Sequence, residues 1–121
     1  MSSYRVDSLS PNIIRLSKGT VTQTTNSTTA VTLNKAAGVI TTVSLSNAAA
    51  ATTSFTLNNG FIKADSVVMA CIESPSGTIG TNGYAVVTVS AVADGSCVLN
   101  VTNLAPSNAL SGAVKIAYII V

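Results

Sequence analysis

Four carboxylates, two thiols and no imidazole make up the acid, base and metal-ligating equipment of this 121-residue chain. The absence of histidine removes the commonest general base, nucleophile partner and metal ligand together. Asp7 lies near the N-terminus, Asp65 precedes a predicted strand, Glu73 closes one, and Asp94 stands before Gly95 in a predicted hairpin turn. Turn chemistry accounts for Asp94-Gly95 and for Asp65 in Ala-Asp-Ser. Glycoside hydrolysis needs two acids converging across a cleft, and nothing in the sequence joins Asp65 to Glu73 for that work. The residues therefore read as those of a protein that is not an enzyme, with no catalytic residue, no cofactor and no metal.

Cys71 and Cys97, without histidine, fall short of the four nitrogen or sulfur ligands of a zinc site. Neither Glu73-Ser-Pro-Ser-Gly77 nor the turn at Asp94 gathers the several acids that calcium requires. Both cysteines fall within predicted strands. A disulfide between adjacent strands and a pair of reduced thiols both remain open, the second being the commoner state in a chain without a secretory signal. The sequons Asn26-Ser-Thr28 and Asn100-Val-Thr102 are what a Ser/Thr-rich chain produces by chance.

The elements that must position these residues are strands. Charged residues form 8 % of the chain, with six basic and four acidic side chains, where a soluble domain usually has about a quarter. Ser and Thr, about a quarter of all residues, can cover outward strand faces, and an assembly can cover the rest. Aromatic residues amount to 4 % with no Trp, so the core must come from Val, Ile, Leu and Ala, whose β-branched members favour pleated sheets. A net charge of +2 without a basic stripe argues against nucleic acid as a partner. The N-terminus lacks the basic start and apolar centre of a secretory signal, and no run approaches the ~18 apolar residues of a membrane helix. Synthesis in a cytoplasm, with no membrane partner, is the expectation.

Period-two alternation recurs from residue 20 onward. Gly38–Leu45 places Val39, Thr41, Val43 and Leu45 on one face, and Ala51–Leu57 sets Phe55 and Leu57 against Ser54 and Thr56. Ser66–Glu73 is apolar on both faces, as in a central strand covered twice. Tyr84–Val92, Ser96–Thr102 and Ala113–Val121 alternate in turn; the last sends Val114, Ile116, Tyr118 and Ile120 one way and Lys115 the other. Turn signals at Asn58-Asn59-Gly60, Ser76-Gly77, Asn82-Gly83, Asp94-Gly95 and Ser111-Gly112 separate these runs. Asn47–Ala51 is helix-favouring but too short to nucleate a helix, so it reads as a connection. Thr28–Asn34 followed by Gly38-Val-Ile40 is echoed by Thr52–Asn58 followed by Gly60-Phe-Ile62. Even strand spacing with no helical-period segment points to an all-β sandwich or barrel, and the expectation is an antiparallel β-sandwich of about eight strands over residues 20–121. Glu73–Gly83 forms a long polar loop, either a solvated tip or a partner contact.

Residues 1–19 differ from the rest and read as an extended arm interrupted by Pro11. Tyr4, Arg5, Arg15 and Lys18 combine interface-anchoring types with cationic reach, and Ile13, Ile14 and Leu16 add an apolar strip that is costly to leave in water. These seven residues are the candidate partner contacts.

The runs Ala30–Asn34, Gly38–Thr42, Ser54–Asn58, Tyr84–Val89 and Gly95–Thr102, with the apolar ending Ala113–Val121, resemble small all-β structural proteins of tailed bacteriophages, which decorate and cement capsids as trimers or form the ends of tail fibres. The resemblance covers residues 20–121 and brings no catalytic or binding residue with it. It implies a capsid decoration protein whose jelly-roll-like sandwich trimerises, which is made in the host cytoplasm and binds the major capsid protein on the outside of the head shell. A tail-fibre or receptor-binding, lectin-like β module is the alternative it leaves.

Overall fold

The computed structural model describes residues 17–121. Eight strands follow in order: β1 (Lys18–Thr22), β2 (Val31–Thr32), β3 (Ala37–Thr41), β4 (Thr52–Asn58), β5 (Val68–Ser74), β6 (Ala85–Ala93), β7 (Ser96–Asn103) and β8 (Lys115–Ile120). They form two four-stranded sheets, β1-β3-β8-β5 (sheet A) and β2-β4-β7-β6 (sheet B). The sheets face each other as a sandwich over one core.

The expectation of a wholly antiparallel sandwich is corrected at one edge of each sheet. β1 pairs with β3 in parallel, and β2 pairs with β4 in parallel, so both sheets are mixed. The cause lies in the path of the chain. Successive strands β1 to β4 pass alternately from sheet A to sheet B, so each parallel pair is joined by a crossover that contains a strand of the opposite sheet. Parallel neighbours need such a long connection, whereas antiparallel ones can be joined by a tight turn. β6 and β7 are joined in that second way through Asp94-Gly95, where Gly95 has φ +87°. The echoed segments around β2 and β4 do lie side by side, with Val31 opposite Leu57.

Alternation accounts for most of the core. Phe55 and Leu57 from β4, Cys97, Leu99 and Val101 from β7, and Ile116, Tyr118 and Ile120 from β8, preceded by Val114, are all buried between the sheets. Two sequence expectations are overturned. In β3 the inward residue is Ile40, fully buried, while Val39 and Thr41 lie on the outer side opposite Ala117 and Lys115. The strand ends at Thr41, and the chain changes phase before Leu45, which is buried. The predicted alternation joined two segments that are out of register. Ser66–Glu73, expected as a central strand, belongs instead to the edge strand β5, and its outer face carries exposed Met69 and Cys71. The central position is held by β8.

Glycine makes room at one critical point. Gly38 lies opposite Tyr118 on β8 and Gly19 on β1. A Cβ on Gly38 would stand 2.7 Å from Leu33 Cδ2, 2.8 Å from the Gly19 carbonyl oxygen and 3.1 Å from the Tyr118 ring. Tyr118 needs that space because its hydroxyl is anchored, donating to the Lys35 carbonyl at 2.8 Å and accepting from Asn59 Nδ2 at 3.1 Å. Asn59 is itself 1 % exposed, and its amide also donates to the Lys35 carbonyl at 2.7 Å while its Oδ1 accepts from Phe61 N at 2.8 Å. One tyrosine and one asparagine thus tie β8 to the β2–β3 connection and to the turn after β4.

Two outcomes follow from this arrangement. Gly38→Ala should destabilise the domain by about 1–3 kcal/mol, because one of the crowding atoms is backbone and cannot rotate away; urea unfolding measures it. Burial also raises the Tyr118 hydroxyl above its ordinary value of 10.0, an effect opposed by the Asn59 hydrogen bond and reinforced by nearby Cys97. Burial likewise raises the Cys97 thiol above 9.0. A folded-state value above the unfolded one means stability that is complete below the unfolded pKa and lost as pH rises towards the folded one. The urea midpoint should therefore hold steady to about pH 8 and fall above pH 9–10. The early part of that fall should disappear in Cys97→Ala.

Candidate interaction surface

The two outer faces of the sandwich have opposite characters. On sheet B the outward side chains are mostly Thr, Ser and Asn, with half-buried Val86 and Val98 among them, and the polar ones bond to one another across the strands. Ser54 Oγ donates to Asn100 Oδ1 at 2.6 Å, Asn100 Nδ2 donates to Ser90 Oγ at 3.0 Å, and the hydroxyls of Thr52 and Thr102 meet at 2.7 Å. Such cross-strand polar pairs stabilise a sheet that faces water without any charge. On sheet A the corresponding face is apolar at its centre. Met69 and Cys71 of β5 flank Ala117 and Ile119 of β8 around a shallow depression of about 400 Å³. Val67 and Val121 extend it, joined by a reciprocal pair of backbone hydrogen bonds at 3.0 and 2.9 Å and exposed by 57 % and 79 %. Lys18 of β1, and Glu73 and Lys115 at the far ends of β5 and β8, are exposed charged residues on the same sheet.

A second concavity of about 400 Å³ adjoins the first at Ala70 and Cys71. It runs along the open side of the sandwich between edge strands β5 and β6 and is lined by Ile72, Pro75, Ile79, Tyr84 and Val87 among others. Both edge strands carry a register irregularity, at Ile72/Ser74 in β5 and at Ser90/Ala93 in β6, where Ala91 takes φ +50°. Irregularities of this kind discourage unwanted strand pairing at an exposed edge.

The loops at this end are built rather than loose. Asn103, fully buried at the end of β7, uses all of its side-chain capacity. Its Nδ2 donates to the carbonyls of Asn47 at 3.0 Å and Asn108 at 2.8 Å. Its Oδ1 accepts from the backbone N–H groups of Tyr84 and Ala105, both at 3.0 Å. Asn108 Nδ2 continues the chain of bonds to the Gly80 carbonyl at 2.7 Å, and Ser76 Oγ donates to the Asn82 carbonyl at 3.1 Å. The polar segment read as a solvated tip or a partner contact is therefore a bonded loop docked on the β7–β8 connection. Ile79 in this loop, Tyr84 just after it and Leu104 in the β7–β8 connection are each about half exposed.

Of the sequence-derived contact residues, Tyr4, Arg5, Ile13, Ile14, Arg15 and Leu16 lie outside the described residues. Lys18, counted with the arm, is instead the first residue of β1, exposed and opposite Ala37, and Gly19 follows it in the strand. The apolar outer face of sheet A was not among the candidates. Its signal was present in Ser66–Glu73, whose two apolar faces were assigned to burial because the edge position of β5 is not visible in a linear pattern. The thiols are both free, Cys71 exposed on that face and Cys97 buried in the core. Asp94 Oδ1 accepts from Ala64 N at 2.8 Å, tying the β6–β7 turn to the loop before β5. Among the described residues no group of three or more His, Cys, Asp or Glu side chains is placed to hold a metal ion.

Comparison of the chain with protein-family models, with curated proteins and with solved structures finds no match.

The asparagine bracket yields a direct test of how the loop surface is held. Asn103→Ala strands two backbone donors and two carbonyls, and unfolding in urea should show a loss of about 3 kcal/mol or more, given about 1–3 kcal/mol for each buried group left unpaired. Asn100→Ala on the outer face of sheet B, where water can replace the lost partner, should cost about 1 kcal/mol or less.

Proposed function

We propose that this chain is a virion structural protein, a capsid decoration protein that trimerises and binds the major capsid protein on the outer surface of the head shell. The observation that carries the reading is the apolar outer face of sheet A in a chain with only 8 % charged residues. A contiguous apolar patch of this kind marks an interaction surface, and assembly supplies the cover that charge does not. The number three and the shell partner come from the resemblance to phage structural proteins. So does the jelly-roll-like comparison, from which the parallel pairs β1–β3 and β2–β4 depart. The role is mechanical and uses no catalytic group, cofactor, nucleic acid or membrane. Each copy bridges shell subunits, and many weak contacts add up through avidity. The protein is made in the host cytoplasm and resides on the capsid surface.

A receptor-binding module at the tip of a tail fibre is a second reading, favoured by one observation. Ile79, Tyr84 and Leu104 are exposed together on the bonded loops at one end of the sandwich, the place where such a module would meet a ligand.

Sedimentation of the purified chain alone and with empty capsids separates the two. The decoration reading expects a trimer at micromolar concentration and co-sedimentation with capsids that is lost in Met69→Asp. Binding to whole host cells with no affinity for capsids, impaired by Tyr84→Ala, would replace it with the fibre reading. A monomer that binds neither would overturn both.

A further inference from the structure

The charges are segregated between the two open sides of the sandwich. Among the described residues all three carboxylates, Asp65, Glu73 and Asp94, belong to β5, the loop before it or the β6–β7 turn. Asp65 and Asp94 share one corner, because Asp94 Oδ1 accepts from Ala64 N at 2.8 Å. Lys63 stands in the same loop, so the corner carries two carboxylates and one ammonium group. The opposite side, between edge strands β1 and β2, carries Lys18 and Lys35 and no described carboxylate. Lys35 Nζ donates to Ser17 Oγ at 3.2 Å, which sets it at the start of β1 with Lys18. Both corners lie at the same end. β1 is parallel to β3, and β3 and β5 are both antiparallel to β8, so β1 and β5 run the same way. Lys18 opens β1 in the row that passes through Ala37 and Ile119 to Met69 near the start of β5, and Asp65 precedes β5. We propose that copies of this chain associate head to tail, the β1–β2 side of one against the β5–β6 side of the next, with Lys18 and Lys35 facing Asp65 and Asp94 across the contact.

The proposal rests on the reading above for self-association in a ring of three and adds which surfaces meet. The apolar parts of the two sides agree with the charges. The β5–β6 side holds the concavity lined by Ala70, Ile72, Ala85 and Val87 among others, and the β1–β2 side offers Val21 and Leu33, only partly buried against the core. An apolar centre with a polar rim is the common anatomy of an interface. Rotation about an axis parallel to the strands keeps every residue at its level, so it carries the basic corner of one copy to the acidic corner of the next. Contacts between unlike surfaces, repeated around such an axis, close into a ring. Contacts between like sides are disfavoured. A two-fold axis along the strands would set the lysines against lysines or the aspartates against aspartates, and one across the strands would part the opposite charges. The outer face of sheet A takes no part and stays open to the shell.

Sedimentation equilibrium of the full-length chain reads this association without capsids. Lys18→Glu and Asp65→Lys, both at exposed positions, should each weaken trimer formation about tenfold or more at low salt, where like charges brought face to face are costly. The double variant Lys18→Glu/Asp65→Lys restores opposite charges and should return association to within about threefold of the parent. In a second measurement, made in a Cys71→Ser background with Cys97 buried, a short bis-maleimide should link chains carrying both Lys18→Cys and Asp65→Cys into a trimer on a denaturing gel. Neither substitution alone should give a linked product. Equal association in the parent and both reversals, no recovery in the double variant, or a linked dimer from either single cysteine variant overturns the proposal. So does a parent chain that is a dimer or a monomer. If a reversal unfolds the chain, the cross-link alone decides, and absence of the linked trimer overturns the proposal. A trimer with this charge dependence that ignores capsids upholds the proposal and removes the decoration reading.

Discussion

Buried backbone groups at the ends of the sandwich must find partners, and asparagine and glutamine amides supply them. Each time the chain leaves a sheet it abandons the ladder that satisfied its N–H and C=O groups, and an unpaired group shut away from water is costly. Asn103 meets this need for four backbone groups at once. Asn47 bonds the carbonyls of Ala51 and Val101 and receives the Thr53 hydroxyl. Gln23, 3 % exposed, donates to the Thr29 carbonyl and accepts from Val43 N. Among the described residues no buried side-chain nitrogen or oxygen lacks a partner. The crossovers that make both sheets mixed can run through the interior margins only because these amides accompany them.

That economy of charge has a consequence for the outside. A sheet covered mostly by Thr, Ser and Asn is solvated without net charge, and sheet B follows this plan, with only the half-buried Val86 and Val98 departing from it among the paired residues of β4, β6 and β7. Sheet A does not, since its outer centre is Met69, Cys71, Ala117 and Ile119. The two faces of one sandwich are therefore suited to different neighbours, water on one side and an apolar surface on the other. The bonded loops at the β5–β6 end add a third, smaller surface whose shape is set from within by Asn103 and Asn108. Rigid presentation of half-exposed apolar side chains on such loops lowers the ordering cost of any contact they make.

Strand identity, the all-β class and most inward residues were legible in the sequence, because a half-buried strand writes its burial as an alternation of side chains. Phe55, Leu57, Leu99, Val101, Ile116 and Tyr118 all fall where that alternation places them. The absence of histidine and the scarcity of carboxylates are likewise properties of the chain alone. Which strands are neighbours is a different kind of information. The parallel pairings of β1 with β3 and β2 with β4, the edge position of β5, and the phase change between Ile40 and Leu45 depend on contacts between residues far apart in the chain. Local periodicity carries no record of them. The roles of Asn103 and Gly38 were hidden for the same reason: an asparagine reads as a turn former and a glycine as flexibility until the groups that converge on them are known. Composition and alternation determined that this chain makes two sheets around an aliphatic core. Only the packing of those sheets decided which apolar face would be left uncovered, because exposure belongs to a strand's neighbours and not to its sequence.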